Sequence, residues 1–165
     1  MNDAVFVLDT SVFVEAARRY YAFDLVPGFW ETLIVQARVG SVVSIDRVEK
    51  ELRRQKDDLA RWATRDFDTA FVSTDQPSVS ACYRDIINWV QNQPRFKDAA
   101  KSKFAQDADG WVIAYAKATG SVLVTQEVSS PESRRKVKIP DVCEVFGVST
   151  VDTFQMLRRL DVRLT

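Results

Sequence analysis

Apolar residues fall into two periods along this chain, and the two alternate. Ala4-Val5-Phe6-Val7-Leu8 is an unbroken apolar run ending in Asp9, which predicts a strand over about 4–9 buried on both faces. A helix should start near Ser11. Pro27-Gly28 breaks the chain before a second helix that runs to about Val39 and is closed by Gly40. Ser41-Val42-Val43-Ser44 reads as a short strand. Ile45, Val48 and Leu52 recur at helical spacing and predict a helix over 45–55, and Asp57-Asp58 open another with Leu59 and Trp62 inward. Phe71-Val72 reads as an edge strand. After Pro77, the residues Val79, Cys82, Tyr83, Ile86, Ile87 and Val90 fit the i, i+3, i+4, i+7, i+8, i+11 pattern of a helix. Residues 97–104 read as helical but polar. Trp111, Ala114, Tyr115 and Ala118 make a further amphipathic helix stopped by Gly120, and Ser121–Thr125 is a buried strand. A last strand near Val137–Ile139 and a helix from Thr150 are expected to finish the chain. Strands alternating with helices predict an α/β fold with a parallel sheet covered on both faces.

Composition narrows what such a fold can do. The 165 residues are enough for one domain over 1–165 with a real core. A hydrophobic content of 46% and a mean hydropathy of -0.18 are those of an ordinary soluble protein. No run approaches a membrane span, and Met1-Asn2-Asp3 does not open a signal peptide, so a cytoplasmic protein without membrane association is expected. Cys82 and Cys143 lack metal-ligand spacing and read as reduced thiols. The chain has no histidine. That excludes Ser-His-Asp hydrolases, histidine-based nucleases and His-ligated zinc. The formal net charge of +0 advertises no polyanionic partner, but local patches can still bind one.

The candidate chemistry lies in acids placed where strands end and helices begin. An acid at the carboxyl end of an apolar strand lies in the crevice where open α/β sheets bind ligands, and Asp9 holds that place. Its competing role is to cap the helix that follows; Thr10 or Ser11 can take over that task and free Asp9. Ser11 is also placed to hold Asp9. Glu49 and Glu51 flank the stripe Ile45, Val48, Leu52, and periodicity does not choose between them. Asp107 and Asp109 bracket the start of the Trp111 helix. Compensating a helix dipole, worth about 0.3–1 kcal/mol per charge, needs only one of them. Two acids followed by Gly110 point to a site. Thr125 and Glu127 leave the next strand near the same sheet edge. Several acids converging suggest a hard divalent cation with oxygen ligands, and hence phosphoryl chemistry.

Four segments together resemble the PIN-domain family of metal-dependent ribonucleases. They are Val7-Leu8-Asp9-Thr10-Ser11, Val48-Glu49-Lys50-Glu51-Leu52, Ala108-Asp109-Gly110-Trp111-Val112-Ile113-Ala114 and Leu123-Val124-Thr125-Gln126-Glu127. Their order covers roughly residues 4–147 and is most similar to the small prokaryotic, VapC-like toxins. The resemblance implies a three-layer α/β/α fold with a short central parallel sheet. It implies that Asp9 is the first metal-binding acid, that Glu51 rather than Glu49 is the helix acid, and that Asp109 is the third. Glu127 stands where many members carry a fourth aspartate, a departure that lengthens the reach of that ligand. Asp107 is an extra acid near the metal, with Ser11 and Thr125 in support.

The implied activity is hydrolysis of RNA phosphodiester bonds with Mg²⁺ or Mn²⁺, as the toxin of a type II toxin–antitoxin module. The implied partners are RNA, an antitoxin protein and a second copy of the chain. Without metal the clustered carboxylates repel, so metal binding should stabilise the fold. Arg134, Arg135 and Lys136 lie in a loop just beyond Glu127 and are candidates for RNA phosphates. Arg18 and Arg19, beside Tyr20, Tyr21, Phe23, Phe29 and Trp30, are candidates for single-stranded RNA, although such aromatics more often pack a core or a dimer interface. The charged residues Arg95, Lys97, Lys101 and Lys103 read as plain surface. A degenerate family member that binds RNA or protein without cleaving is the competing reading. A haloacid-dehalogenase phosphatase wants a second aspartate where Ser11 stands. A response-regulator receiver wants a paired-acid cluster after the first strand, and flap nucleases carry insertions this chain lacks.

Overall fold

The computed structural model describes residues 4–164. Strand β1 (Phe6–Leu8) lies at the centre of a five-stranded parallel sheet. It pairs on one side with β2 (Val42–Ile45), which pairs with β3 (Phe71–Val72), and on the other with β4 (Val122–Val124), which pairs with β5 (Thr150–Val151). All three residues of β1 and of β4 are buried, which is why both are written without a polar residue. Phe6, Val7 and Leu8 stand level with Val122, Leu123 and Val124, so both strands end at the same edge of the sheet.

Helices α1 (Thr10–Glu15), α2 (Pro27–Arg38), α3 (Asp46–Arg53) and α4 (Asp58–Arg65) connect the strands on the β3 side. Helices α5 (Pro77–Gln91), α6 (Asp98–Gln106), α7 (Asp109–Thr119) and α8 (Ile139–Phe146) do so on the β5 side, and α9 (Thr153–Arg159) follows β5. Right-handed crossovers put these two groups on opposite faces and make a three-layer α/β/α arrangement. The chain leaves β1 towards β3 and later returns to β1's other flank. The switch point of the sheet therefore lies between β1 and β4, where such folds place their ligands. No helix among the described residues is long and apolar enough to cross a membrane.

Two expectations need correction. Val137–Ile139 is not a strand: Val137 is a buried loop residue, and Ile139 opens α8 with Pro140 in its first turn. Proline has a fixed φ and no N–H, so it starts a helix well and serves poorly inside a sheet. Nor does a helix begin at Thr150. Thr150 and Val151 pair with Leu123 and Val124, and α9 waits for Asp152, whose side chain accepts from Gln155 N at 2.8 Å in a reciprocal capping box. Phe29 and Trp30 belong to the core. Phe23 stacks on Trp30 at 4.0 Å and Tyr21 on Phe29 at 4.4 Å. Of the expected base-stacking aromatics, Tyr20 stays largely exposed.

Gly110 has a packing reason. A Cβ there would meet Tyr83 at 3.0 Å and Phe104 at 3.1 Å. Neither ring can give way. Phe104 is buried, and Tyr83 lies flat on Trp111 at 3.7 Å while Arg47 covers the other face of Trp111 at 3.8 Å. Gly110→Val should therefore cost about 2 kcal/mol through overpacking of α5, α6 and α7. Urea melts will show it; a variant as stable as wild type would mean that the helices part freely.

Candidate active site

The site grows from the ends of β1 and β4. Asp9 leaves β1 with its N–H on the Val124 carbonyl at 3.1 Å, so its side chain stands between the two strands. One carboxylate oxygen accepts from Ser11 Oγ at 2.7 Å and from Val12 N at 3.2 Å; the other accepts from Thr125 Oγ1 at 2.7 Å. Of the two capping arrangements open in the sequence, Asp9 itself is the N-cap of α1, and neither Thr10 nor Ser11 replaces it. The two hydroxyls are committed elsewhere. Ser11 gives its proton to Asp9 and accepts from Gln126 N at 3.0 Å, while Thr10 Oγ1 donates to Glu51 Oε1 at 2.5 Å.

Glu51 is carried by α3 and reaches across to Ala108, whose N–H donates to its other oxygen at 2.9 Å. Glu49 faces away and pairs with Arg53 at 3.2 Å. The geometry therefore brings Glu51, and not Glu49, to Asp9 and Asp109. Asp109 is the first residue of α7. Among the described residues no donor reaches its carboxylate, and burial together with the charges of Glu127, Asp9, Asp107 and Glu51 pushes its pKa up to about 8. Burial also raises Asp9, to about 7, against the lowering effect of Ser11, Thr125 and Val12.

Glu127 folds back over the start of α8. Its oxygens accept from Ile139 N at 3.1 Å and pair with Lys136 at 3.4 Å, and its own N–H donates to Thr125 Oγ1 at 3.0 Å. The Thr125 hydroxyl thereby fixes Asp9 and the Glu127 backbone together. Asp107 sits at the rim and pairs with Lys103 at 3.0 Å. Cys143 lies beneath, its thiol pushed up to about 12 by burial and by Asp9 and Glu127, which makes it inert as a nucleophile. Both cysteines are free, and Cys82 is half-buried.

Two openings flank the acids. A narrow cleft between α6 and the 134–138 loop is lined by Lys103, Phe104, Asp107, Asp109, Arg135 and Lys136. A wider groove of about 460 Å³ runs past Thr125 and Glu127 to Tyr20, Asp152 and Phe154. Arg135 and Lys136 thus line the cleft that Asp107 and Asp109 enter. Arg134 instead holds the Lys97 N–H through its carbonyl at 2.9 Å. Arg18 and Arg19 are not brought there. They lie on the π-helical turn Ala16–Tyr20 at the far end of α1, with Arg19 paired to Glu15 at 3.4 Å. Sequence reasoning missed Thr10 and Lys103. The four-residue spacing from Lys103 to Asp107 was the available signal for the second.

Among the described residues no three acids already surround one point closely enough to cage an ion. Asp9, Glu51 and Glu127 are each held by protein donors. The donor set still fits a hard cation, because it is made of oxygens alone and leaves Asp109 without a donor inside a ring of carboxylates.

The family described as "Domain of unknown function (DUF4411)" matches residues 6–164. No curated protein matches the chain. The fold is similar to that of a chain in the crystal structure of VapBC2 from Rickettsia felis bound to a DNA fragment from their promoter. That likeness has a TM-score of 0.55 and 12% identity, and covers 90% of this chain and 98% of that one. A chain of FitAcB from Neisseria gonorrhoeae is similar at a TM-score of 0.52 and 18% identity, over 88% of this chain and 96% of that one. At these identities the likeness establishes the fold, which is PIN-like.

Proposed function

We propose, for a chain that belongs to the DUF4411 family and has a PIN-like fold, that it is a metal-dependent endoribonuclease. The observation that carries this reading is Asp109, a carboxylate without a donor amid Asp9, Glu51, Asp107 and Glu127 at the switch point of the sheet. Asp9, Glu51, Asp109 and Glu127 would hold Mg²⁺ or Mn²⁺, with Asp107 beside them. The bound cation would orient water, polarise the phosphoryl group and offset developing negative charge. The chain's own residues do the positioning. Ser11 and Thr125 fix both oxygens of Asp9, Thr10 and the Ala108 N–H fix Glu51, and the Ile139 N–H holds Glu127 at the start of α8.

Similarity to chains of VapBC2 and FitAcB supports the role of toxin in a type II toxin–antitoxin module with an antitoxin partner; an antitoxin seated over the acidic groove, a cytoplasmic location and a second copy as dimer partner complete the proposal. A catalytically degenerate RNA- or protein-binding module is the second reading. It is favoured by the engagement of Glu127 with Lys136 and Ile139 N, which occupies both of its oxygens.

Purified protein incubated with transfer and ribosomal RNA separates the two. Discrete cuts are expected in Mg²⁺ or Mn²⁺ and none in EDTA. Cleavage that persists in EDTA would remove the metal-dependent reading. Folded protein that cuts no RNA in either metal would favour the binding module.

A further inference from the structure

We infer that Lys103 and Lys136 are exchangeable counterions: they pair with Asp107 and Glu127 in the metal-free protein, and turn to RNA phosphates beside the cut when a cation takes the carboxylates. The inference rests on the ribonuclease reading and assigns the side of the site along which the RNA backbone runs. Five carboxylates, those of Asp9, Glu51, Asp107, Asp109 and Glu127, face an incoming polyanion, and one divalent cation offsets only part of that charge. Among the described residues that line the two openings, the cationic ones lie on one side. Lys103, Arg135 and Lys136 line the cleft that contains Asp109. The wider groove past Tyr20 and Phe154 has Glu127 and Asp152 as its only charged lining residues. The phosphates should therefore follow the cleft between α6 and the 134–138 loop.

The two lysines suit an exchange. The lysine side chains are 70% and 47% exposed, at 3.0 and 3.4 Å from their acids, so both ammoniums already reach solvent, and the more exposed Lys103 pair is the weaker and more easily parted. Lysine carries a point charge on a flexible stem, free of the geometric demand of an arginine fork. Lys103 also feels Asp109 and Glu51, so it already shields the ring that would receive the cation.

The exchange requires effects of opposite sign from one substitution. Lys103→Met should tighten Mn²⁺ binding to the RNA-free protein by about threefold to tenfold, read by titration calorimetry, because a competing positive charge has gone. The same variant should raise KM for a single-stranded RNA oligonucleotide more than it lowers kcat. It should also reduce the slope of log kcat/KM against log KCl by about 0.7, the value of one lost phosphate contact to a single strand. Lys136→Met should behave alike, and Lys103→Arg should restore the salt slope. Lys101→Met, whose ammonium is bound to the Gln91 carbonyl, should change neither quantity. Unchanged or weaker Mn²⁺ binding, an unchanged salt slope, or a Lys103→Arg variant that behaves like Lys103→Met would each overturn the exchange while leaving the nuclease reading intact. Wild-type protein that binds no Mn²⁺ and cuts no RNA would overturn both.

Discussion

Asp109→Asn should abolish RNA cleavage and, at the same time, make the metal-free protein more stable. The two effects have one cause. Every influence on this carboxylate raises its pKa: burial first, then Glu127, Asp9, Asp107 and Glu51. No donor among the described residues offsets them. Asparagine keeps the shape and removes the charge, so in EDTA at pH 8 stability should rise on the order of 1 kcal/mol, or a few degrees in Tm. The same change removes a ligand from the proposed cation site. A cation's help to the transition state amounts to several kcal/mol, and each 1.36 kcal/mol is tenfold in rate, so a loss of about a thousandfold or more is expected.

Asp9→Asn should be as damaging to activity but should not share the gain in stability. The Asp9 carboxylate accepts from Ser11, Thr125 and Val12 N, and it caps α1. An amide would turn its NH₂ towards one of those donors, and the bonds lost, at about 1 kcal/mol or more, offset what is gained by removing a charge that burial disfavours. Paired thermal melts in EDTA check the contrast. An Asp109→Asn protein that melts below wild type would mean that the aspartate is supported by the fold and does not wait for a cation.

The parts of this design that were legible in the sequence are those written in a single element. The apolar runs of β1 and β4 announce strands buried on both faces, and α5 displays its stripe over fifteen residues. Asp9 and Thr125 could be found because each directly follows such a run. The remainder depends on contacts that local pattern does not encode. Thr150-Val151 is too short for any period to show, and its strand character comes from pairing with β4. Val137 and Ile139 alternate like a strand, yet each is buried from a loop or a helix start. Gly110 next to two acids suggested a site, while its own reason is the Tyr83 ring. Asp9 was set as either cap or ligand, but the tertiary bonds from Ser11 and Thr125 allow one carboxylate to cap α1 and still stand in the site. Arg18 and Arg19 follow Asp9 closely in sequence, and the helix between them carries them away from it.

Metal-free protein should lose stability as pH rises from about 5 to 8, and Mn²⁺ should cancel that loss. Asp9 is raised to about 7 and Asp109 to about 8, from the ordinary 3.8 that the unfolded chain retains. Between these values the folded state binds more protons than the unfolded one, so the slope of stability against pH is negative. The stabilising contribution is complete below about 3.8, declines through the intervening range and is gone above about 8. Glu49, raised by burial, acts in the same sense. A cation replaces those protons. Its apparent affinity should climb with pH through 7 to 8, because the ligands must first give up their protons. At a hundred times Kd it should add about 2.7 kcal/mol. Melting curves in EDTA and in excess Mn²⁺ should then diverge with rising pH, the first falling and the second holding level. Asp109→Asn should flatten the EDTA curve by removing one of the raised groups. An EDTA curve that rises from pH 5 to 8 would mean that these carboxyls are stabilised as anions by the fold itself, and the case for a cation among them would lose its physical basis.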